Sequence, residues 1–255
     1  MREKDTLKHR KDSSQQTSSN KKYYSPNDLL TMEIGLPKYT RNIVREFYCY
    51  AKPEINSKDF KIADFGAGTG ALAQIWIDNY SVTPDCVEID PELISILKKK
   101  GLNVIPNLNA SNEKFAFVYT SNVLEHIKDD SEALSDLFQK IEHNGKLAIY
   151  VPAFPVLFSS LDYKVGHFRR YTKKELSNKV ISAGFEVEEV RFCDSLGFFG
   201  TLILKILKID TGKALSSPGF LKFHDTIFHP TSLLLDKLGL DKVIGKNILL
   251  FATKK

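Results

Sequence analysis

The residues of this chain that could do chemistry begin with an acid followed by three glycines at alternate positions. Asp64 ends an apolar run, and Gly66, Gly68 and Gly70 follow it. Glycine has no Cβ, so the backbone can turn sharply there and a ligand can lie against it. The helix expected next points its free N–H groups and positive dipole end into the turn. The segment therefore predicts a loop that binds a nucleotide-type cofactor.

The elements that position this loop alternate between strand and helix patterns along most of the chain. Apolar runs predict strands at 60–64, 85–89, 103–106, 115–121, 146–151, 185–192 and 247–253. Helical periodicity between them predicts helices at 71–80, 91–100, 130–141 and 172–183. Such alternation is typical of an α/β fold with a mostly parallel sheet and helices on both faces.

Polar side chains stand at the ends of four predicted strands. They are Asp64, Glu88, Asn107 and Asn122. In an open parallel sheet, ligands bind beyond the carboxyl ends of the strands, at the point where the strand order reverses. Their shared placement predicts one binding site at that edge of the sheet.

The charge of the chain is unevenly distributed. The net charge is +5, and residues 1–22 carry seven Lys/Arg against three acids. This polar stretch predicts a disordered basic tail, and it leaves a folded part near neutrality, for which no nucleic acid partner is expected. The single domain expected at 23–255 has a helical lead-in at 23–50 and a helical insertion at 194–243. The N-terminus has no apolar signal segment, so a cytoplasmic location is expected.

The glycine loop alone leaves two cofactors open. Residues 66–71 also satisfy the dinucleotide pattern, and an acid follows about 20 residues later, so NAD fits as well as S-adenosylmethionine. Asp64 favours S-adenosylmethionine, because an anion there repels a pyrophosphate and suits a cationic cofactor. The final strand also closes the chain after a helical insertion, without a second nucleotide-binding half.

Three motifs in this order resemble the class I S-adenosylmethionine-dependent methyltransferases. They are DFGAGTG at 64–70, EID at 88–90 and SNVLEHI at 121–127, and the resemblance spans about residues 30–253. Residues 151–172 and the closing GKNILLFATK resemble a bacterial branch associated with polysaccharide or lipid modification. The resemblance implies a Rossmann-like fold with a seven-stranded, mostly parallel sheet, an antiparallel last strand and a helical insertion before it.

The resemblance also implies roles for individual residues. Glu88 would bind both ribose hydroxyls, and Asn107 stands where the family usually has Asp at the adenine edge, a contact that an amide can also make. The implied cofactor site consists of Asp64, Phe65, Gly66, Ala67, Gly68, Gly70, Glu88, Ile89, Asn107, Leu108, Asn122 and Val123.

Two histidines are the candidate general bases. His126 follows the fourth strand, and His167 lies in a loop rich in Arg and Tyr that can cross the mouth of the site. The histidines show no metal-ligand spacing, so no metal site is expected. The expected acceptor-binding residues are Tyr163, His167, Arg169, Arg170 and Tyr171.

The predicted function is methyl transfer from S-adenosylmethionine to an oxygen or nitrogen of a small-molecule, sugar or lipid-linked acceptor. An NAD-dependent oxidoreductase and a non-catalytic methyltransferase-like binding module are the alternatives. The apolar insertion at 194–243 carries lysines, which suit peripheral contact with the inner face of a membrane. Packing on the sheet or on a second subunit is the other interpretation of the pattern, and the expected form is a monomer or a homodimer.

Overall fold

The computed structural model of the protein describes residues 26–52, 55, 60–207 and 217–255. The predicted tail at 1–22 and part of the predicted insertion lie outside the described residues.

One seven-stranded sheet forms the centre of the fold. Its strands are β1 Ile62–Phe65, β2 Asp85–Val87, β3 Val104–Ile105, β4 Phe115–Ser121, β5 Ile141–Pro152, β6 Glu186–Cys193 and β7 Asn247–Thr253. The order across the sheet is β3-β2-β1-β4-β5-β7-β6. Strands β1 to β5 pair in parallel, and β7 runs antiparallel to both β5 and β6. The predicted mostly parallel sheet with an antiparallel last strand is confirmed.

The helices lie between the strands, as the alternation predicts. They are α1 Pro26–Gly35, α2 Pro37–Ala51, α3 Ala71–Tyr80, α4 Pro91–Lys99, α5 Asp130–Lys140, α6 Ser160–Val165, α7 Lys173–Ser182, α8 Ser195–Ile206, α9 Pro218–Phe223 and α10 His229–Lys237. Local signals set several of their starts. The Asp90 carboxylate accepts from the Glu92 and Leu93 N–H groups at the start of α4, and the predicted cap Thr172 accepts from the Glu175 N–H at 3.1 Å.

The core lies on both faces of the sheet. Aromatic side chains, including Phe47 of α2, Trp76 of α3 and Tyr119 of β4, are buried between these helices and one face of the sheet. Aliphatic side chains such as Leu134 and Val180 are buried under α5 and α7 on the other. All seven residues of β7 are buried. Burial on both faces explains why the central strands read as continuous apolar runs.

The predicted bounds differ most from the structure at β5 and in the helical lead-in. The predicted helix at 130–141 ends at Lys140, and β5 begins at Ile141. Residues 141–145 extend β5 because Ile141 pairs with Phe115 of β4, the Asn144 N–H donates to the Lys254 carbonyl and the Lys254 N–H donates to the Gly145 carbonyl. The helical lead-in is two helices broken at Leu36, because Pro37 disfavours helical geometry in the residue before it.

The helical insertion covers the carboxyl edge of the sheet and is tied to the lead-in. Asp225, from the π-helical turn His224–Phe228, accepts from the Lys38 N–H at 3.1 Å and the Tyr39 N–H at 2.9 Å. It thereby caps α2, whose own N-cap residue Leu36 has no side chain that could do so. Across the described part of the chain, no helix has the length and apolar character needed to cross a membrane.

Candidate functional site

The glycine loop between β1 and α3 has the left-handed geometry that only glycine adopts without strain. The φ angles of Gly66 and Gly68 are 78° and 57°. A Cβ on Gly66 would lie 2.4 Å from the Val123 side chain, whereas a Cβ on Gly68 would meet no atom within 4 Å. Gly68 faces the cleft, so it is the point where a ligand can approach the backbone most closely.

Glu88 lies just beyond β2 and is held against this loop. Its Oε2 accepts from the Gly68 N–H at 2.8 Å. Its Oε1 accepts from the Ile89 N–H at 2.8 Å and the Asp90 N–H at 2.9 Å. The residue is 8% exposed and lines the cleft, and the adjoining Ile89 is 77% exposed at the rim. Together they form a carboxylate beside an apolar surface, which suits a nucleoside.

The cleft above the sheet has a volume of about 1550 Å³ and runs from the glycine loop to the helical insertion. Pockets for one ligand are usually about 300–1000 Å³. The cleft therefore has room for a cofactor at the loop end and a second molecule at the insertion end. Apolar residues that include Leu204, Phe220 and Phe228 line the insertion end.

The structure brings eleven of the sequence-predicted site residues to this cleft. Among them, Asn122 turns away from β4 with a φ of 54°, beside the loop glycines. The eleven are Phe65, Gly66, Ala67, Gly68, Glu88, Ile89, Asn122, Val123, His126, His167 and Arg170.

Four predicted cofactor residues do not line the cleft. Asp64 is 2% exposed, within the sheet below the loop. Gly70 packs against Leu97 and Leu102. Leu108 belongs to the hydrophobic core, and Asn107 is exposed at the start of a short 3₁₀ turn. Their cofactor roles stay predictions.

Three predicted acceptor residues also lie away from the cleft. Tyr163 is 72% exposed, with its ring against Phe158. The Arg169 guanidinium and the Tyr171 hydroxyl each lie 2.8 Å from the Asp130 carboxylate. Both side chains therefore hold the loop onto the start of α5, and His167 and Arg170 are the members of the cluster that reach the cleft.

The loop is organised around Asp162, a residue that the sequence did not single out. Its buried carboxylate accepts from the Ser159 N–H at 2.8 Å, contacts His167 Nδ1 at 2.7 Å and accepts from Arg170 Nε at 2.7 Å. Although burial opposes its ionisation, the hydrogen bonds from His167 and Arg170 lower the pKa of Asp162 to about 2. The signal available in the sequence was an acid five residues before a histidine.

Glu125 is the second residue missed, although it lies inside the NVLEH motif. It is buried, and its burial raises the pKa of its carboxyl to about 8. The ring centroids of His126 and His167 are 4.7 Å apart. Burial, with a smaller contribution from His167, lowers the pKa of His126 to about 4. An acid and two imidazoles from separate loops thus meet at the cleft.

The buried carboxyl of Asp64 predicts a pH-dependent stability. Burial raises the pKa of Asp64 to about 7, from an ordinary value of 3.8. The folded state therefore holds this proton more tightly than the unfolded state, and the free energy of unfolding falls as pH rises from about 4 to above 7. This difference corresponds to about 4 kcal/mol when ionisation is complete.

Urea unfolding of the wild type and Asp64→Asn at several pH values measures this effect. The wild type is expected to lose stability relative to Asp64→Asn as pH rises through about 7. Asp78→Asn, at an exposed position on α3, is the control and should follow the wild type. Parallel pH curves for the wild type and Asp64→Asn would contradict the prediction.

The fold and the site together define an α/β enzyme that binds a nucleoside-containing cofactor at the switch point between β1 and β4. The antiparallel β7 between β5 and β6 distinguishes this sheet from the dinucleotide-binding sheet, whose strands are parallel and follow the order 3-2-1-4-5-6. A family model described as a methyltransferase domain matches residues 37–190, more than half of the chain, and the protein belongs to that family.

Solved structures of methyltransferases share the fold. A SAM-dependent methyltransferase from Thermotoga maritima, titled a possible histamine N-methyltransferase, has 14% identity and a TM-score of 0.58, with 90% of this chain and 95% of that chain covered. One from Archaeoglobus fulgidus has 19% identity and a TM-score of 0.53, with 84% and 94% covered.

Phosphoethanolamine N-methyltransferase 2 from Haemonchus contortus, in complex with phosphomonomethylethanolamine and S-adenosylhomocysteine, has 14% identity and a TM-score of 0.59. That similarity covers 92% of this chain and 59% of that chain. No curated protein matches the chain in sequence. At these identities, the similarity to solved structures shows the fold alone.

Membership of this family makes the protein a methyltransferase whose cofactor is S-adenosylmethionine, as predicted, and sets aside the NAD-dependent alternative. The residues present fit this cofactor. Gly68 leaves open space against the backbone, Glu88 offers a carboxylate at the cleft, and Ile89 offers an exposed apolar side chain.

Proposed function

We propose that the protein methylates an oxygen or nitrogen of a small-molecule, sugar or lipid-linked acceptor that carries an apolar part. The observation that supports this proposal is the two-ended cleft, with a polar glycine-loop end and an insertion end lined by apolar side chains of α8, α9 and the turn after α9. An apolar wall of this kind binds an apolar group by removing it from water.

The cofactor end is assigned to the residues that line the cleft there. Glu88 would accept from the two ribose hydroxyls, Ile89 would lie against the adenine, and Gly68 would leave room for the methionine end. Asn122 and Val123 would line the channel between the two ends. When bound, the cofactor supplies a methyl group on a positively charged sulfur, and the protein's main task is alignment of the acceptor with it.

The acceptor end also contains polar groups that can orient a substrate. The Asn247 side-chain amide donates to the Tyr39 hydroxyl at 3.1 Å and to the Tyr150 hydroxyl at 2.9 Å. Tyr39, Asn247 and Lys246 also line the cleft. A few polar groups among apolar walls are typical of sites that select one orientation of a ligand.

The two histidines lie between these ends. His126 is poorly matched to a base near neutral pH, because its pKa is lowered to about 4. His167 is oriented by Asp162 through Nδ1, which leaves Nε2 for a second partner. His167 can therefore act either as a proton acceptor or as a metal ligand. Which of these roles it has depends on the neighbouring Glu125 carboxyl group.

Methyl transfer from labelled S-adenosylmethionine into water-soluble, glycan and lipid fractions would identify the acceptor class. Leu204→Gln, in the apolar wall, is then expected to raise the KM for that acceptor about tenfold or more, with kcat and cofactor affinity nearly unchanged. Ile206→Gln is the control, because Ile206 is 68% exposed on the same helix and outside the cleft lining. Equal KM values for the two variants would place the acceptor elsewhere.

Location and assembly stay predictions. Exposed apolar side chains at the end of α8, such as Ile203, Ile206 and the following Leu207, support a lipid-linked acceptor or a contact with another surface. A cytoplasmic location at the inner face of a membrane and a monomeric or homodimeric state are proposed on the sequence pattern.

A further inference from the structure

Three side chains that can bind a metal ion meet beside the cleft. Glu125 and His126 come from the 3₁₀ turn after β4, and His167 comes from the loop after α6. One ligand atom from each lies within 4.8 Å of the others, and His167 Nε2 is 3.8 Å from Glu125 Oε1. His126 and His167 line the cleft, so a cation held here would be within reach of a bound molecule.

The Glu125 carboxyl group is the observation that points to a missing partner. Its side chain is completely buried, and neither oxygen has a hydrogen-bond partner among the described residues. A buried carboxylate without hydrogen bonds is costly by several kcal/mol unless it is protonated, paired or bound to a metal. Glu125 faces His167 Nε2, so a cation between them would supply the partner.

Both imidazoles are already held as metal ligands usually are. His167 Nδ1 is 2.7 Å from Asp162 Oδ1, which fixes the ring and leaves Nε2 directed toward Glu125. A backbone hydrogen bond to Gly166 holds His126. Metal-bound histidines almost always donate their other ring N–H to a carboxylate or a backbone carbonyl.

We propose that Glu125, His126 and His167 form a binding site for one divalent transition-metal cation, such as Zn²⁺ or Mn²⁺, with free coordination positions toward the cleft. Two imidazoles and one carboxylate are a donor set that catalytic zinc and non-haem iron sites use. Metal–ligand bonds are about 2.0–2.2 Å long, so the three side chains would draw together on binding. This proposal departs from the sequence analysis, in which the spacing of the histidines predicts no metal site.

The cation would have a role in the reaction, and this role rests on the proposed function. A free coordination position could bind an acceptor hydroxyl. The cation would lower the pKa of that hydroxyl so that its proton leaves to water, and it would orient the oxygen toward the methyl donor. His167 would then serve as a ligand and not as the base. Asp162 would be a positioning residue that acts through His167.

Metal titration of the chelator-treated full-length protein tests the site without any methyl-transfer assay. Calorimetry with Zn²⁺ and electron paramagnetic resonance with Mn²⁺ are expected to show one bound ion per chain and a metal-dependent rise in Tm. Glu125→Gln and His167→Gln should each weaken binding by at least about tenfold. His143→Ala, at an exposed position on β5, is the matched control and should bind as the wild type does.

Absence of metal binding would be an equally clear result. If Glu125 is simply a protonated acid, Glu125→Gln will be as stable as the wild type, and the wild type, Glu125→Gln and His143→Ala will all fail to bind one ion per chain. That outcome would overturn the metal site and leave the proposed methyl transfer intact, because cofactor binding and acceptor labelling are measured separately. Stoichiometric binding that persists in Glu125→Gln and His167→Gln would place the ion elsewhere and would also overturn the proposal.

Discussion

Replacing Glu88 with Ala is expected to lower the affinity for S-adenosylhomocysteine by at least about 100-fold. Two ribose hydroxyls donating to one carboxylate form charge-assisted hydrogen bonds, each contributing about 1.5–3 kcal/mol. The lower limit for the pair is about 3 kcal/mol, which corresponds to roughly 100-fold in Kd. Calorimetric titration measures the change, and NADH, for which no saturable binding is expected, serves as the cofactor control.

Two controls test whether the loss of affinity is specific to the cleft. Glu92→Ala removes an exposed acid from the first turn of α4 and should leave cofactor affinity unchanged. Gly68→Ala and Gly101→Ala impose similar backbone strain, because φ is 57° and 74° and neither added Cβ meets an atom within 4 Å. Only Gly68→Ala places a methyl group in the cleft, so only this variant should lose affinity. If Glu88→Ala binds S-adenosylhomocysteine as tightly as the wild type does, the assignment of the ribose site is wrong.

Replacing Asp162 with Asn is expected to lower the free energy of unfolding by about 3–5 kcal/mol. The substitution leaves Arg170, which is buried, without the carboxylate that neutralises it. Removing one partner of a buried ion pair is strongly destabilising because the remaining charge stays in a medium of low polarity. The same substitution weakens the contact that orients His167.

A double-variant cycle in urea unfolding distinguishes this charge effect from general damage to the loop. Asp162→Asn with Arg170→Gln should cost less than the sum of the single substitutions, because the second removes the uncompensated charge. Glu113→Gln, at the exposed ion pair with Lys61, is the comparison and should hardly change stability. Additive effects in the Asp162 and Arg170 cycle would contradict a coupled buried pair.

The parts of this protein that the sequence determined are those governed by neighbouring residues. The glycine spacing at 66–70 predicts the cofactor loop, because the turn geometry depends on a few consecutive φ angles. The acid after β2 predicts the ribose site, because parallel strands end at one edge of the sheet. The apolar runs and helix caps predict the strands and most helix starts, since periodicity and capping are read within a few residues.

The tertiary structure decided which side chains from distant segments meet. Arg169 and Tyr171 lie in the predicted acceptor loop, yet both bind Asp130 on α5. Asp225 caps α2 from the insertion, and Glu125 faces His167 across two loops. The packing of whole elements fixes these contacts, and no local pattern encodes the partner of a side chain that lies dozens of residues away. The sequence therefore determined the class of cofactor and predicted the place of its site, whereas the apolar insertion end of the cleft and the cluster of Glu125, His126 and His167 emerged only from the folded chain.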